Sequence, residues 1–423
     1  MQAWMNAREA AKLLNVRPQT LYAYVSRGLL ESEQVPGSRG KRYRRSDVER
    51  LSNRHGTMRN PKRVARASLD WGLPVLKSSL TMIDDGELYY RGKNATDLAD
   101  HCTLESLAAE LWDCELSELQ AAQAQEPSAV MLRALAIPKG LRSAQHCLNA
   151  FQVMAGQHGE QVRSLNSPVA RATQLLYWVR ATATMRACPP GFVKRPMHQR
   201  LAAIWRLDEV QADLLRRALI LCADHELNVS SFTARCVASS GASLDACVSA
   251  GLAALSGYRH GAATGAIEDA WTQWMSLPGS PATGRRQFLD SIMSAPEGRT
   301  PLGLGFGHPL YPKGDPRARA LLSRLPFDEA RDRLINEVVQ ATGLLPSVDF
   351  ALVAVRRHLG LPEGSAFALF AIARVVGWLA HVFEQKKQGG LIRPRAEYIG
   401  PPPVLNEKHK MEKMPSARVV RFG

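Results

Sequence analysis

Apolar residues recur three and four positions apart through residues 104–119, 141–154, 172–185 and 201–222, while strand-like alternation is nearly absent from the chain. Side chains spaced that way share one face of an α-helix, so the expected fold class is all-α, built from many helices around a common core. One exception stands near residue 80. There Gly72-Leu73-Pro74-Val75 and Glu87-Leu88-Tyr89-Tyr90 flank the turn Asp84-Asp85-Gly86 and are expected to pair as a small hairpin. At 423 residues the chain should hold two or three domains, and without an internal repeat it is not a solenoid. Its longest apolar stretch, residues 366–383, carries Arg374 and His381. That excludes a simple membrane span, and no membrane is expected as a partner. A guanidinium inside such a helix needs an anion, which either a protein carboxylate or a substrate carboxylate could supply.

The first seventy residues have a different character. They hold 15 Lys and Arg against 6 acids, so +9 of the formal +15 sits in one sixth of the chain. Asn6 and Glu9 are spaced for a capping box before a short amphipathic helix, and Pro18 opens a second one after a tight turn. A glycine-rich basic stretch, residues 36–45, reads as a hairpin wing. Residues 5–51 resemble the MerR or excisionase type of winged helix-turn-helix. The resemblance implies a second helix in a major groove of double-stranded DNA, with Arg17, Gln19, Thr20, Tyr22 and Tyr24 as contacts and wing cations Arg42 and Arg44 on phosphates. Such domains also dock on proteins, and a solvated basic face is the plainer alternative. The domain is bounded at residues 1–52, a basic linker follows at 53–70, and the polar residues 401–423 read as a tail. Seven scattered cysteines without metal-ligand spacing read as reduced packing thiols, so no metal is expected. With no signal-like N-terminus, a cytoplasmic location is expected.

Four segments of the long helical region set ionisable residues among glycines or apolar residues: His225-Glu226-Leu227-Asn228-Val229-Ser230, Gly257-Tyr258-Arg259-His260-Gly261-Ala262, Gly305-Phe306-Gly307-His308-Pro309 with Asp315-Pro316-Arg317, and Pro346-Ser347-Val348-Asp349-Phe350. Together with Tyr90-Arg91-Gly92, Gly377-Trp378-Leu379-Ala380-His381 and Arg393-Pro394-Arg395, these make residues 71–400 resemble citrate synthase. The resemblance implies large and small helical domains, the large one from residues 71–257 and 357–400 and the small one from 258–356. It also implies condensation of acetyl-CoA with oxaloacetate, the coenzyme A thioester being a substrate and no cofactor being bound.

The family's roles then fall on Asp349 as the base for the acyl methyl, His260 as donor to the enol oxygen and His308 as donor to the acceptor ketone. His225, Arg317, Arg374 and Arg393 of the partner subunit would hold oxaloacetate, which implies a homodimer with a shared active site. Two departures bear on the acyl group. Tyr258-Arg259 replace the family's usual pair before the first catalytic histidine, and Pro312 stands where a basic residue commonly helps hold coenzyme A phosphate, with Lys313 adjacent as a substitute. Propionyl-CoA with a 2-methylcitrate product is therefore an alternative. A DNA-binding regulator that uses the synthase fold as a metabolite sensor is another. Gly303-Leu304-Gly305-Phe306-Gly307 lacks the spacing and preceding strand of a nucleotide loop.

Overall fold

The protein is described here from a computed structural model that defines residues 4–14, 16, 18–26, 30–34, 41–45, 47–48, 76–122, 125–135, 140–277, 284, 305–396 and 398–401. The linker call at 53–70 and nearly all of the tail call at 401–423 lie outside these residues.

At the N-terminus, strand β1 (Trp4–Asn6) runs into α1 (Ala7–Leu14), followed by α2 (Pro18–Ser26), β2 (Ser32–Gln34) and β3 (Lys41–Arg44). The strands form an antiparallel sheet in the order β1-β3-β2. The capping box is present as read: Asn6 N–H donates to Glu9 Oε2 at 3.1 Å and Glu9 N–H donates to Asn6 Oδ1 at 2.9 Å. Leu14, Leu21, Leu30, Tyr43 and Val48 fill a small core of its own.

Pleating puts Tyr43 inward and Arg42 and Arg44 outward. Both arginines are drawn onto neighbours rather than left free. Arg42 pairs with Glu33 and Arg44 with Glu31, each at 2.6 Å, and both guanidiniums lie 5.8 Å from the Trp4 ring. Tyr24, expected as a surface contact, is buried in the core, because its position on α2 shares the face of Leu21. Tyr22 is 56% exposed, with Lys41 Nζ 5.6 Å from its ring, and Thr20 is half-buried. Arg17 and the side chain of Gln19 lie outside the described residues.

The second sheet corrects the hairpin expectation. β4 (Thr81–Asp84) pairs with β5 (Glu87–Tyr90), and β6 (Lys93–Asn94) adds to β5. Residues 72–75, expected as the partner of β5, lie outside the described residues. Asp85 and Gly86 both have positive φ, 45° and 78°, so they form a two-residue turn that obliges the partner strand to end at Asp84.

The remainder is helical: α3 (Ala95–His101), α4 (Leu104–Trp112), α5 (Leu116–Ala121), α6 (Ala129–Ala134), α7 (Ser143–Arg163), α8 (Pro168–Thr184), α9 (Met197–Trp205), α10 (Glu209–Cys222), α11 (Val229–Ser239), α12 (Leu244–Leu255), α13 (Ala263–Ser276), α14 (Pro316–Leu322), α15 (Glu329–Thr342), α16 (Val348–His358) and α17 (Ser365–Gln388). Two helices expected to run unbroken are each split. Asp113 at φ 61° ends α4, and Arg206 at φ 59° ends α9, both in the left-handed conformation without a glycine to announce it.

Helix α17 is long and apolar enough to cross a bilayer, yet 94% of its apolar window is buried within the protein. Helices α4, α8, α10, α11, α12 and α16 pack around it. Close approach is arranged at two glycines. A Cβ on Gly251 of α12 would lie 2.6 Å from the Trp378 ring, and one on Gly377 would lie 2.5 Å from Ala223 O and closer still to Asp224 Oδ1. At Gly377 the backbone N–H donates to Ala223 O at 3.1 Å, which pins the end of α10 against the middle of α17. Gly377→Ala should therefore lower stability by at least 1–3 kcal/mol through overpacking against backbone that cannot retreat. Chemical denaturation of the variant beside the parent checks this, and an unchanged midpoint refutes the packing argument.

Candidate active site

Where α10 ends, the chain turns through Asp224-His225-Glu226 before α11 starts, with Glu226 at φ 50°. Asp224 is wholly buried and anchors the turn. Its carboxylate accepts from Thr81 Oγ1 at 2.5 Å and Ser231 Oγ at 3.4 Å, and His381 Nε2 lies 3.2 Å away. The Tyr90 hydroxyl donates to Ile220 O at 3.0 Å and reaches Asp224 O at 3.2 Å. Burial alone would raise the Asp224 carboxyl, but His381, Arg374 and Thr81 hold it below the usual carboxylate range.

Asn228 caps α11 by accepting from Ser230 N–H and Ser231 N–H at 3.1 and 3.2 Å. That fixes Ser230, whose hydroxyl oxygen is 2.8 Å from His260 Nε2 and accepts from Trp378 Nε1 at 3.0 Å. His260 follows the end of α12 in a tight turn where its N–H donates to Gly257 O at 2.9 Å. Gly261 is required there, since a Cβ would fall 2.6 Å from Leu255. Burial, with Arg374 adding to it, pulls the His260 imidazole down to about 3. The ring is a neutral donor at ordinary pH.

His308 comes to the same region by another route. Gly305 and Gly307 take φ of 74° and 77°, and a Cβ on Gly305 would meet Phe350 at 2.9 Å. Leu310 N–H donates to His308 Nδ1 at 3.2 Å, which leaves the proton of the neutral ring on Nε2. Burial, with help from Arg317, draws this imidazole down to about 4. The rings of His225 and His308 lie 5.2 Å apart, edge to face. His225 Nε2 is 2.9 Å from the Tyr311 hydroxyl, and burial followed by Arg317 puts its pKa well below the ordinary value.

Asp349 occupies the first turn of α16, whose N-cap is Ser347, so Asp349 itself is not the cap. Burial raises its carboxyl to about 6, against the opposing pull of Arg317 and Arg374 and with Asp315 adding to the rise. Arg317 is held in a fork by Asp315, Nε to Oδ1 at 2.9 Å and Nη2 to Oδ2 at 2.8 Å. Asp315 also accepts from Val348 N–H at 3.0 Å, tying the Arg317 turn to the start of α16.

Arg374 is 1% exposed in the middle of α17. Its Nε donates to Cys222 O at 2.9 Å, its guanidinium lies 4.8 Å from the Phe370 ring, and its Nη2 is buried without a hydrogen-bond partner. Burial lowers its pKa, and the Asp224 carboxylate restores part of that. Arg374 lies within electrostatic reach of His260, His225, Asp349 and Arg317.

The structure thus brings together His225, His260, His308, Arg317, Asp349 and Arg374. It leaves Lys313 and Arg393 outside the group. Lys313 is 86% exposed and 3.7 Å from Asp85, and Arg393 is exposed in the extended segment after α17. Sequence reasoning missed Asp224, Ser230, Tyr311 and Asp315. Their signal was present only as neighbours of assigned residues: Asp224 precedes His225, Ser230 closes the same segment, and Asp315 lies two before Arg317. Among the described residues no cluster of His, Cys, Asp and Glu could hold a metal ion, and the seven cysteines are free thiols.

Comparison with known proteins bears on the family and the fold. The family described as "Citrate synthase, C-terminal domain" matches residues 68–395, and "Helix-turn-helix domain" matches residues 4–55. The chain is 34% identical to "Citrate synthase 2" of Bacillus subtilis over 45% of its own length and 52% of that protein. It is 36% identical to the citrate synthase of Saccharolobus solfataricus over 46% of its length and 53% of that protein. The chain thus spans about half the length of these two relatives. Against "2-methylcitrate synthase" of Mycobacterium tuberculosis it is 27% identical over 74% of its length and 84% of that protein. In structure it is similar to citrate synthase from Thermotoga maritima, with a TM-score of 0.62 and 26% identity over 79% of this chain and 96% of that one. The citrate synthase of Thermoplasma acidophilum, solved as a ternary complex with carboxymethyl coenzyme A and oxaloacetate, shares the fold at a TM-score of 0.64 and 24% identity over the same shares of each chain. From residue 68 to residue 395, this chain belongs to the citrate synthase family.

Proposed function

We propose that the chain condenses an acyl-CoA with oxaloacetate and releases coenzyme A, acetyl-CoA and citrate being the first reading. One observation carries it: a buried arginine with an unsatisfied Nη2 stands among two neutral imidazoles and a carboxylate raised to about 6. Carbon–carbon bond formation through an enol needs those groups in those protonation states.

Asp349 takes a proton from the acyl α-carbon, and His260 donates a hydrogen bond to the thioester oxygen as the enol forms. The enol carbon attacks the ketone of oxaloacetate, whose developing alkoxide accepts a hydrogen bond from His308 Nε2–H and takes up a proton equivalent to the one that Asp349 then releases. Arg374 and Arg317 hold the two carboxylates of the acceptor, with Arg393 of the partner subunit completing the set in a homodimer. Hydrolysis of the thioester then drives the sequence forward. Lys313 lies at the surface, where it can meet a coenzyme A phosphate. Likeness to both citrate and 2-methylcitrate synthases keeps propionyl-CoA as the competing substrate, and parallel thiol-release assays with the two thioesters decide between them. Release with neither overturns the enzyme reading.

Protonation of Asp349 sets the pH dependence. With His260 and His308 neutral above about 4, kcat/KM should fall on the acid side of about 6 and follow a single carboxyl. Asp349→Asn should abolish that limb along with at least 1,000-fold of the rate, a loss of about 4 kcal/mol in transition-state stabilisation. The same shift has a consequence for stability. The unfolded carboxyl loses its proton near 3.8 and the folded one near 6, so stability present below 3.8 declines as pH rises through about 6. Removing the charge should therefore add about 2–3 kcal/mol at neutral pH. A variant that is inactive and also less stable contradicts the desolvated-base argument. Arg374→Met, by contrast, should lower stability, because the Cys222 carbonyl and the buried Asp224 carboxylate lose their compensating cation, and oxaloacetate should no longer raise its melting temperature.

The helix-turn-helix match at residues 4–55 supports a second reading, in which the N-terminal domain binds double-stranded DNA and the synthase fold reports a metabolite to it. The exposed Tyr22 beneath Lys41, with Thr20 on the same helix, is the contact face. Because Glu31 and Glu33 occupy Arg44 and Arg42, changing both acids to Gln should tighten binding, and changing both arginines to Ala should weaken it and flatten its salt dependence. A titration indifferent to salt and to all four side chains refutes this reading.

A further inference from the structure

We infer that Tyr311 is a substrate-positioning residue for the 2-oxo dicarboxylate, an inference that rests on the condensation reading above. Three of the groups assigned to the acceptor meet on this one side chain. Its hydroxyl is 2.9 Å from His225 Nε2. Its ring lies 4.9 Å from the His308 ring and 5.6 Å from the His225 ring. The Arg317 guanidinium carbon is 5.3 Å from its centroid, in reach of a cation–π attraction.

The side chain is placed tightly enough to serve this purpose. Tyr311 is 2% exposed, its N–H donates to His308 O at 2.9 Å, and Gly314 N–H donates to its carbonyl at 3.0 Å. Pro309 and Pro312 on either side restrict the backbone of the turn. A rigid phenol between a histidine from the α10–α11 turn and a histidine from the 305–311 loop fixes their separation. It also restrains His225 to one hydrogen-bonded orientation before substrate arrives.

The chemistry separates this role from simple packing. A residue that only fills space would, when shortened, lower stability and leave the two substrates equally affected. One that orients acceptor contacts should change recognition of the oxo acid alone. Tyr311→Phe keeps the ring and deletes the hydroxyl. It should raise KM for oxaloacetate roughly tenfold, the equivalent of one hydrogen bond, with kcat and KM for the acyl-CoA within about threefold of the parent. Tyr311→Leu removes the ring as well, and kcat should then fall too, since His308 and Arg317 lose their common support.

Calorimetric titration of oxaloacetate into the full chain supplies a readout that needs no turnover. If the parent binds oxaloacetate but releases no thiol, the enzyme reading fails, yet weaker binding by Tyr311→Phe still supports the inference. If Tyr311→Phe binds oxaloacetate as the parent does, or if its KM rises equally for both substrates, Tyr311 does not position the acceptor. A parent that binds no oxaloacetate overturns both readings.

Discussion

An ionised guanidinium held dry in the middle of α17 is the constraint around which the rest of the site is arranged. Unpaired, such a charge would cost several kcal/mol, and the fold meets that cost only in part. Cys222 supplies one carbonyl, the face of Phe370 lies alongside, and the buried Asp224 carboxylate provides a compensating field. For Cys222 and Asp224 to come so close, α10 must end against α17, and that contact exists because position 377 has no side chain. The same turn then delivers His225 and, one helix start later, Ser230 beneath His260. Among the described residues, Nη2 of Arg374 is what the arrangement leaves uncommitted.

Burial comes first in setting the protonation around Arg374 and Arg317, and their field acts second. Their field reinforces burial at the imidazoles, so His225, His260 and His308 all stay neutral and can donate without giving up a full charge. At Asp349 the two influences oppose each other. Burial prevails because Asp315 already occupies the fork of Arg317, and its own negative charge raises its neighbour further. Asp315 has the reverse fate: bonded directly to the guanidinium, it is held below the ordinary range. Two carboxylates beside the same guanidinium are thereby driven in opposite directions from their ordinary value.

Much of this was legible in the sequence, and the failures have identifiable physical causes. Helical periodicity gave the fold class, and the segments around residues 225, 260, 308 and 349 gave the group that the structure gathers. Periodicity could not reveal the breaks at Asp113 and Arg206, because left-handed caps without glycine leave the three-and-four spacing of apolar residues intact on both sides. Nor could spacing identify the partner of Glu87–Tyr90: the apolar run at 72–75 looked more strand-like than Thr81–Asp84, whereas the two-residue turn decided the register. Long-range partners were the least accessible. Asp224 meets Thr81, 143 residues earlier, and His381, 157 residues later, and nothing local in any of the three announces that meeting.

Charge counting along the chain meets a related limit. Counting cations along residues 1–70 treats each as equally available to a polyanion, yet availability is set by which strand lies beside which. In the order β1-β3-β2, the outward side chains of β3 face those of β2, and Arg42 and Arg44 land opposite Glu33 and Glu31. Exposed pairs of this kind are worth little to stability, about 0–1 kcal/mol each, so their effect falls mainly on recognition. A phosphate approaching that face must compete with a carboxylate already in place, whereas Tyr22 and Lys41 on the α2 side meet it unopposed by those acids. The sheet therefore leaves Tyr22 and Lys41 clear of those acids and ties up the cations at its middle.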